Sequence, residues 1–195
     1  MGVAEKKEQR RTPAAERILE VASEMFYQEG IRAVGVEAIA QEAGVTKKTL
    51  YERFSSKKEL VAAYLRERDK RWRKFLLEAV ERRGGSAREC LLSTFDVLGD
   101  WMEQENPRGC GFVNAAAELP EVDHPGRVVV MEQKEWLRSY LAKLAVETSA
   151  QDPYDLAERL LILHEGATVV NSLGMATDAA RKAKETAVLL LADFS

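Results

Sequence analysis

Cysteine is almost missing from this 195-residue chain: Cys90 and Cys110 are its two thiols, too few and too far apart for a disulfide framework. Proline and glycine are also sparse, at five and twelve residues, so few positions can interrupt a helix. Long apolar runs are absent, and none approaches the roughly 18 residues that a membrane span needs. The stretch Met1 to Arg11 is charged and lacks the apolar segment of a secretion signal. The expected compartment is therefore the cytoplasm, with no membrane partner. His124 and His164, scattered among the two cysteines, show no metal-ligand spacing. No nucleophile elbow, phosphate loop or paired acid–base motif occurs. The expectation is no catalytic residue, no metal, no cofactor and no enzyme.

What the chain does contain is helix-forming residues. Hydrophobic residues make up 46% and charged residues 31%, with Ala, Leu, Glu, Lys and Arg abundant. An all-α fold with a buried core follows. The net charge of −3 conceals an asymmetry. From Met1 to Lys74 there are 17 Lys and Arg against 12 Asp and Glu, net +5, while the remainder is net −8. A basic first third on an acidic body suits a partner with phosphates at one end, although charge runs are also ordinary solvated faces.

Residues 1–11 read as a flexible basic arm. Thr12-Pro13 is a helix start, and the stripe Ile18, Leu19, Ala22, Met25 and Phe26 continues to Gly30. A short helix bearing Val36, Ile39 and Ala40 stops at Gly44, and Thr46 caps a second one ending near Phe54. Ser56 and Glu59 have capping-box spacing and open a long helix that closes at Gly84-Gly85. Ser86 and Glu89 repeat that spacing for a helix reaching Trp101 and Met102. Beyond Asn106-Pro107 come a glycine-rich turn with a short apolar helix, then helices starting at His124-Pro125, Asp152-Pro153 and about Asp178. The count is nine helices with no strand pattern and no repeat.

The segment Val36–Arg53 has the pattern of a helix-turn-helix: two short helices, a tight glycine turn, and Ile39, Ala40, Val45 and Leu50 facing inward. Lys47, Lys48, Thr49 and Glu52 are left pointing outward from the second helix. Its positive N-terminal end suits phosphates and base edges in a major groove. An ordinary αα-corner with a solvated face has the same spacing.

The run "GIRAVGVEAIAQEAGVTKKTLYERFSSKKELVAAYL", Gly30 to Leu65, strongly resembles the DNA-binding domain of the tetracycline-repressor (TetR) family. "IAQEAGV", "TLYERF" and "SKKEL" carry the likeness, in order and at family spacing, over roughly a third of the chain from Thr12 to about Trp72. Gly35 is a departure, because the family often has a hydroxyl residue there to cap its second helix and touch phosphate. The resemblance implies a DNA-binding domain over residues 12–56, a connecting helix over 57–83 and a ligand-binding and dimerisation domain over 84–195. It implies that Thr46, Lys47, Lys48 and Thr49 sit at the groove-facing start of the recognition helix. Tyr51 and Lys57 would meet backbone phosphates, though Tyr51 also reads as a half-buried packing ring. Lys58 reads as solvated.

A helix-turn-helix reads one half-site, so a homodimer on a palindromic double-stranded operator is expected. Leu156, Leu160, Leu163, Ala167, Val170 and Leu173 form one stripe that could pair subunits; Ala180, Ala183, Ala187, Leu190 and Leu191 form another. Stripes at helical spacing equally describe an intramolecular core. The family implies a pocket for an unknown small-molecule effector in the middle helices. Phe95, Trp101, Met102, Phe112, Trp136 and Tyr140 are the candidate lining, and they equally describe a filled core. "RGCGFVNAAAEL", Arg108 to Leu119, resembles a Gly-Cys-x-x-x-Asn segment of a subset of these regulators, whose cysteine can sense electrophiles or oxidants. That adds Cys110 and Asn114 to the candidates, beside the plainer reading of a small apolar Cys in a turn with Asn114 capping it. His164 is a further pocket candidate or a satisfied interface histidine, and His124 a turn or cap residue. The function implied is a ligand-responsive transcriptional regulator, a repressor released from its operator by a small molecule. The alternative is a small-molecule receptor or protein-interaction module with an unused helix-turn-helix.

Overall fold

The computed structural model describes residues 11–105 and 108–194, and among these residues there are nine helices and no strand. The arm expected over Met1–Arg11 lies outside them except for Arg11, which pairs with Glu67 at 3.0 Å. The Asn106-Pro107 turn also lies outside. In order the helices are α1 (Pro13–Glu29), α2 (Val36–Glu42), α3 (Lys47–Phe54), α4 (Lys57–Arg83), α5 (Ala87–Glu105), α6 (Gly111–Glu118), α7 (Pro125–Glu147), α8 (Pro153–Ser172) and α9 (Ala179–Asp193).

Local chemistry sets most of these boundaries. Thr12, Thr46, Ser56, His124 and Asp152 each cap a helix by accepting a backbone N–H, and Pro13, Pro125 and Pro153 follow three of those caps. At Ser86 the capping box is complete: Ser86 N–H donates to Glu89 Oε2 at 2.7 Å and Glu89 N–H to Ser86 Oγ at 3.3 Å. Gly35 precedes α2 with no side-chain cap bond, as its missing hydroxyl requires. Gly44 has φ +68° with open space around its Cβ position, so the turn needs glycine for its backbone conformation.

Two cores form. The first joins α1, α2 and α3 to the start of α4 through Ile18, Phe26, Ile39, Leu50 and Leu65. Phe112, Ala115 and Leu119 of α6 and its neighbouring turn, with Val129 and Val130 of α7, also enter it. The second gathers Trp72, Leu76, Phe95, Leu141, Leu156, Leu160 and Ala187 from the later half of α4 and from α5, α7, α8 and α9. Helix α4, 27 residues and so about 40 Å long, is shared by both.

The apolar stripes expected to pair subunits face inward. Leu156, Leu160, Ala167, Ala180, Ala183, Ala187 and Leu191 are buried within the chain, Leu163, Val170 and Leu190 are half-buried, and Leu173 is exposed. Each stripe fills the second core because α8 and α9 pack on each other and on α5. The opposite faces carry large exposed apolar groups: Ile162, Val169 and Leu173 on and just after α8, Leu189 on α9. No described helix is long and apolar enough to cross a membrane.

Candidate functional site

The first site is built on α3. Thr46 Oγ1 accepts from Thr49 N–H at 3.1 Å and lies 2.9 Å from Thr49 Oγ1, which fixes the first turn. Buried Leu50 and Phe54 lock the inner face of the helix onto the first core. That leaves Thr46, Lys47 and Lys48 exposed, Thr49 half-exposed and Tyr51 38% exposed. Val45 packs half-buried against the core, and Ala40 is buried where α2 meets α3.

The cations on this face have partners of their own. Lys47 Nζ donates to Glu37 Oε1 of α2 and lies 5.9 Å from the Tyr51 ring centre. The carboxylate raises the Lys47 pKa, and Lys47 lowers that of Glu37, chiefly through this hydrogen bond. Lys48 lies 3.9 Å from Glu52 one turn along. Lys57, at the start of α4, is half-buried with its ammonium 5.9 Å from the Phe26 ring centre. Burial lowers its pKa, and the Glu118 carboxylate opposes that. Lys58 is exposed.

The second site is a cavity of about 40 Å³ lined from both cores. Arg68 and Trp72 come to it from α4, Leu98 and Trp101 from α5, Cys110 and Phe112 from α6 and its cap, Gln133 and Lys134 from α7, His164 and Glu165 from α8. Of the nine residues expected to line a pocket, Trp101, Cys110, Phe112 and His164 do so. Phe95 stands behind the wall, its ring 4.3 Å from that of His164, and Met102 is buried in the core. Trp136 and Tyr140 stack on each other on a half-buried flank of α7, with the Arg73 guanidinium 4.7 Å over Trp136. Asn114 is exposed and donates to the Arg108 carbonyl at 3.0 Å.

Two cations, Arg68 and Lys134, and one carboxylate, Glu165, line the cavity. Lys134 Nζ donates to Glu165 Oε1 at 2.6 Å and lies 3.5 Å from Cys110 Sγ. Burial works against the ammonium, but Cys110 and Glu165 more than offset it, and the Lys134 pKa ends above its usual value. His164, 1% exposed, has its pKa pushed down to about 3 by burial and then by Lys134, so it is neutral. Arg108, two residues before Cys110, is engaged elsewhere: its guanidinium donates to the Tyr27 carbonyl at 3.2 Å.

A junction around buried Arg68 lies between the two sites. The Arg68 guanidinium lies 4.3 Å from the Tyr27 ring centre and 5.9 Å from that of Trp101, and it donates to the Glu105 carbonyl at 3.0 Å. Desolvated cation–π contacts of this kind are worth up to about 2 kcal/mol. Tyr27 Oη donates to the Gly109 carbonyl and accepts from Arg108 N–H, each at 3.0 Å. Glu118, at the end of α6, accepts from Arg32 N–H at 2.8 Å, and its carbonyl accepts from Arg32 Nε at 3.0 Å. Gly111 permits the close approach: a Cβ there would fall 2.8 Å from Arg68 Nε. Arg68, Tyr27, Glu118, Gln133 and Lys134 carry no sequence signal of their own, since each reads as a routine polar residue on a helix.

Comparison with known proteins follows the same division. Residues 18–64 match the profile of bacterial regulatory proteins of the tetR family. A structure from Streptomyces avermitilis, assigned as a tetR transcriptional regulator, is 30% identical, with 94% of this chain and 98% of that one covered and a TM-score of 0.82. A TetR-family transcriptional regulator from Streptomyces coelicolor is 29% identical, covering 93% of this chain and 96% of that one at a TM-score of 0.85. The HTH-type transcriptional activator FasR of Mycolicibacterium smegmatis is 48% identical over 58 residues, a match that spans 28% of this chain and 26% of FasR. These relatives are regulators of transcription, not enzymes.

Proposed function

We propose, from the premise that this chain belongs to the TetR family of transcriptional regulators, that it is a ligand-responsive repressor acting in the cytoplasm as a homodimer on a palindromic operator. The observation that carries this reading is α4. One helix begins beneath the recognition helix, forms part of the cavity wall at its middle through Arg68 and Trp72, and holds buried Arg68 at the junction. A ligand that changes the cavity wall has to shift α4, and α4 is packed against the core that orients α3. Regulation is then a population shift between two spacings of the recognition helices, limited by the ligand's differential affinity for them.

On the DNA side, Thr46, Lys47, Lys48 and Thr49 are the groove-facing residues of this reading. Tyr51 and Lys57 are its phosphate contacts. Exposed Ile162, Val169, Leu173 and Leu189 support pairing through the outer faces of α8 and α9. The Gly109-Cys110-x-x-x-Asn114 run supports membership of the thiol-bearing subset, with Cys110 on the cavity.

Selection from random duplexes tests this reading. The expected product is an enriched palindrome whose affinity falls steeply with salt, bound by a species of twice the chain mass in light scattering. No enriched sequence, or a strictly monomeric protein, overturns the reading.

A further inference from the structure

The cavity's hydrogen-bonding groups are unevenly spent. Thr94 Oγ1 gives its one proton to the Leu91 carbonyl at 2.7 Å, so at 3.1 Å from His164 Nε2 it can only accept. His164 therefore carries its proton on Nε2, and Nδ1 holds a bare lone pair. Thr168 Oγ1 donates to the His164 carbonyl at 2.9 Å, and Lys134 is engaged with Glu165 and Cys110. Two acceptors are left without a partner, Gln133 Oε1 and His164 Nδ1. Both side chains line the cavity and are almost fully buried, at 2% and 1% exposure. Buried polar atoms without partners cost about 1–3 kcal/mol each. These two buried acceptors are met only by an occupant that brings a proton to them.

Charge narrows the class. His164 is neutral and the Lys134–Glu165 pair is closed, so nothing there calls for a cationic ligand. A carboxylate would set its own lone pairs against Gln133 Oε1 and His164 Nδ1. The apolar lining narrows it further, because it includes the aromatic rings of Trp72, Trp101 and Phe112.

Resting on the ligand-responsive reading above, we propose that the cavity takes an uncharged aromatic hydroxyl compound of single-ring size. Its O–H is donated to Gln133 Oε1 or His164 Nδ1, and its ring lies among Trp72, Trp101 and Phe112. At about 40 Å³ the resting cavity is smaller than the roughly 150 Å³ that holds a bare benzene ring. A ring therefore enters only by moving the walls apart, and one of those walls is α4.

The test is direct binding to the full-length protein without DNA. Phenol, anisole and benzoate are titrated while calorimetry and the fluorescence of Trp72 and Trp101 are followed. Phenol is expected to bind about tenfold more tightly than anisole, the value of one donated hydrogen bond to a buried acceptor. Benzoate is expected to bind more weakly than phenol. Of Gln133→Leu and His164→Phe, both checked for folding by circular dichroism, the one that removes the acceptor in use should shrink the preference for phenol over anisole, and an unchanged preference in both would overturn the proposal. Equal affinities, no phenol binding, or benzoate binding most tightly would overturn the proposal; the last would assign the cavity to anions through Arg68 and Lys134. Because the readout contains no DNA, phenol selectivity with no enriched operator would count against the repressor reading alone. An enriched operator without phenol selectivity would count against this cavity chemistry alone.

Discussion

The recognition helix and the cavity handle polar groups in opposite ways. On α3 the cations are exposed, yet Lys47 has Glu37 and Lys48 has Glu52 beside it. In the cavity Gln133 and His164 are buried, yet each presents an acceptor with no partner. In water an ion pair forms and breaks at little cost, so a surface meant for a polyanion can hold a substitute anion until DNA arrives. In the interior an unmatched acceptor is expensive, and it persists only where stability is given up for binding.

The buried side should respond most strongly to mutation. Phe95 is fully buried and backs the His164 ring, so Phe95→Ala should cost about 3–5 kcal/mol in denaturant unfolding. A loss under about 1 kcal/mol would mean that the core behind the cavity collapses freely, and the comparison would lose its rigid half.

Acidification should separate the halves next. The folded-state pKa of His164, about 3, lies below its ordinary 6.5, so unfolding takes up a proton under mildly acidic conditions. Its contribution is whole above pH 6.5 and is lost as pH falls toward 3, at a limiting slope of about 1.4 kcal/mol per pH unit. His124 adds in the same sense, its pKa lowered by burial and by Lys58. The His164→Phe variant should therefore lose less stability than the parent between pH 6.5 and 5, with the His124 part remaining. Parallel curves for the two proteins would show that His164 does not stay neutral.

At the DNA face the effects should be smaller and visible only with duplex present. Tyr51→Phe and Lys57→Ala should each weaken every sequence about tenfold, and Lys57→Ala should also lower the salt slope by about one. Unchanged affinity in both variants would remove them from the phosphate contacts.

The same division governs what could be read from the sequence. Helix starts at Thr12, Thr46, Ser56, Asp152 and His124 were legible because a cap and its helix are neighbours in the chain. The turn at Gly44 was legible for the same reason. The partner of an apolar stripe is not a local property: Leu156, Leu160 and Ala187 have the spacing of an interface and fill the chain's own core. Trp136 and Tyr140 looked like pocket lining because of their size, but α7 rotates them onto its flank and turns Gln133 and Leu137 inward. A glutamine on a helix ordinarily reads as solvated, so nothing along the chain distinguishes the buried Gln133.

Glu37 gives the finest test of the comparison. It stands on α2 beside the recognition helix and holds Lys47. Bringing a phosphate to Lys47 requires that bond to break and leaves a carboxylate close to the incoming polyanion. Glu37→Gln removes the negative charge and weakens the bond, from charge-assisted to an amide oxygen, while keeping the length of the side chain. Operator affinity should rise by roughly two- to fivefold, the scale of an exposed ion pair, and the salt dependence should steepen as Lys47 becomes a full phosphate or base contact. A fall in affinity would mean that Glu37 holds Lys47 in its binding orientation, as Thr46 holds Thr49. The recognition face would then be preorganised like the interior, and the contrast between the two regions would fail at this residue.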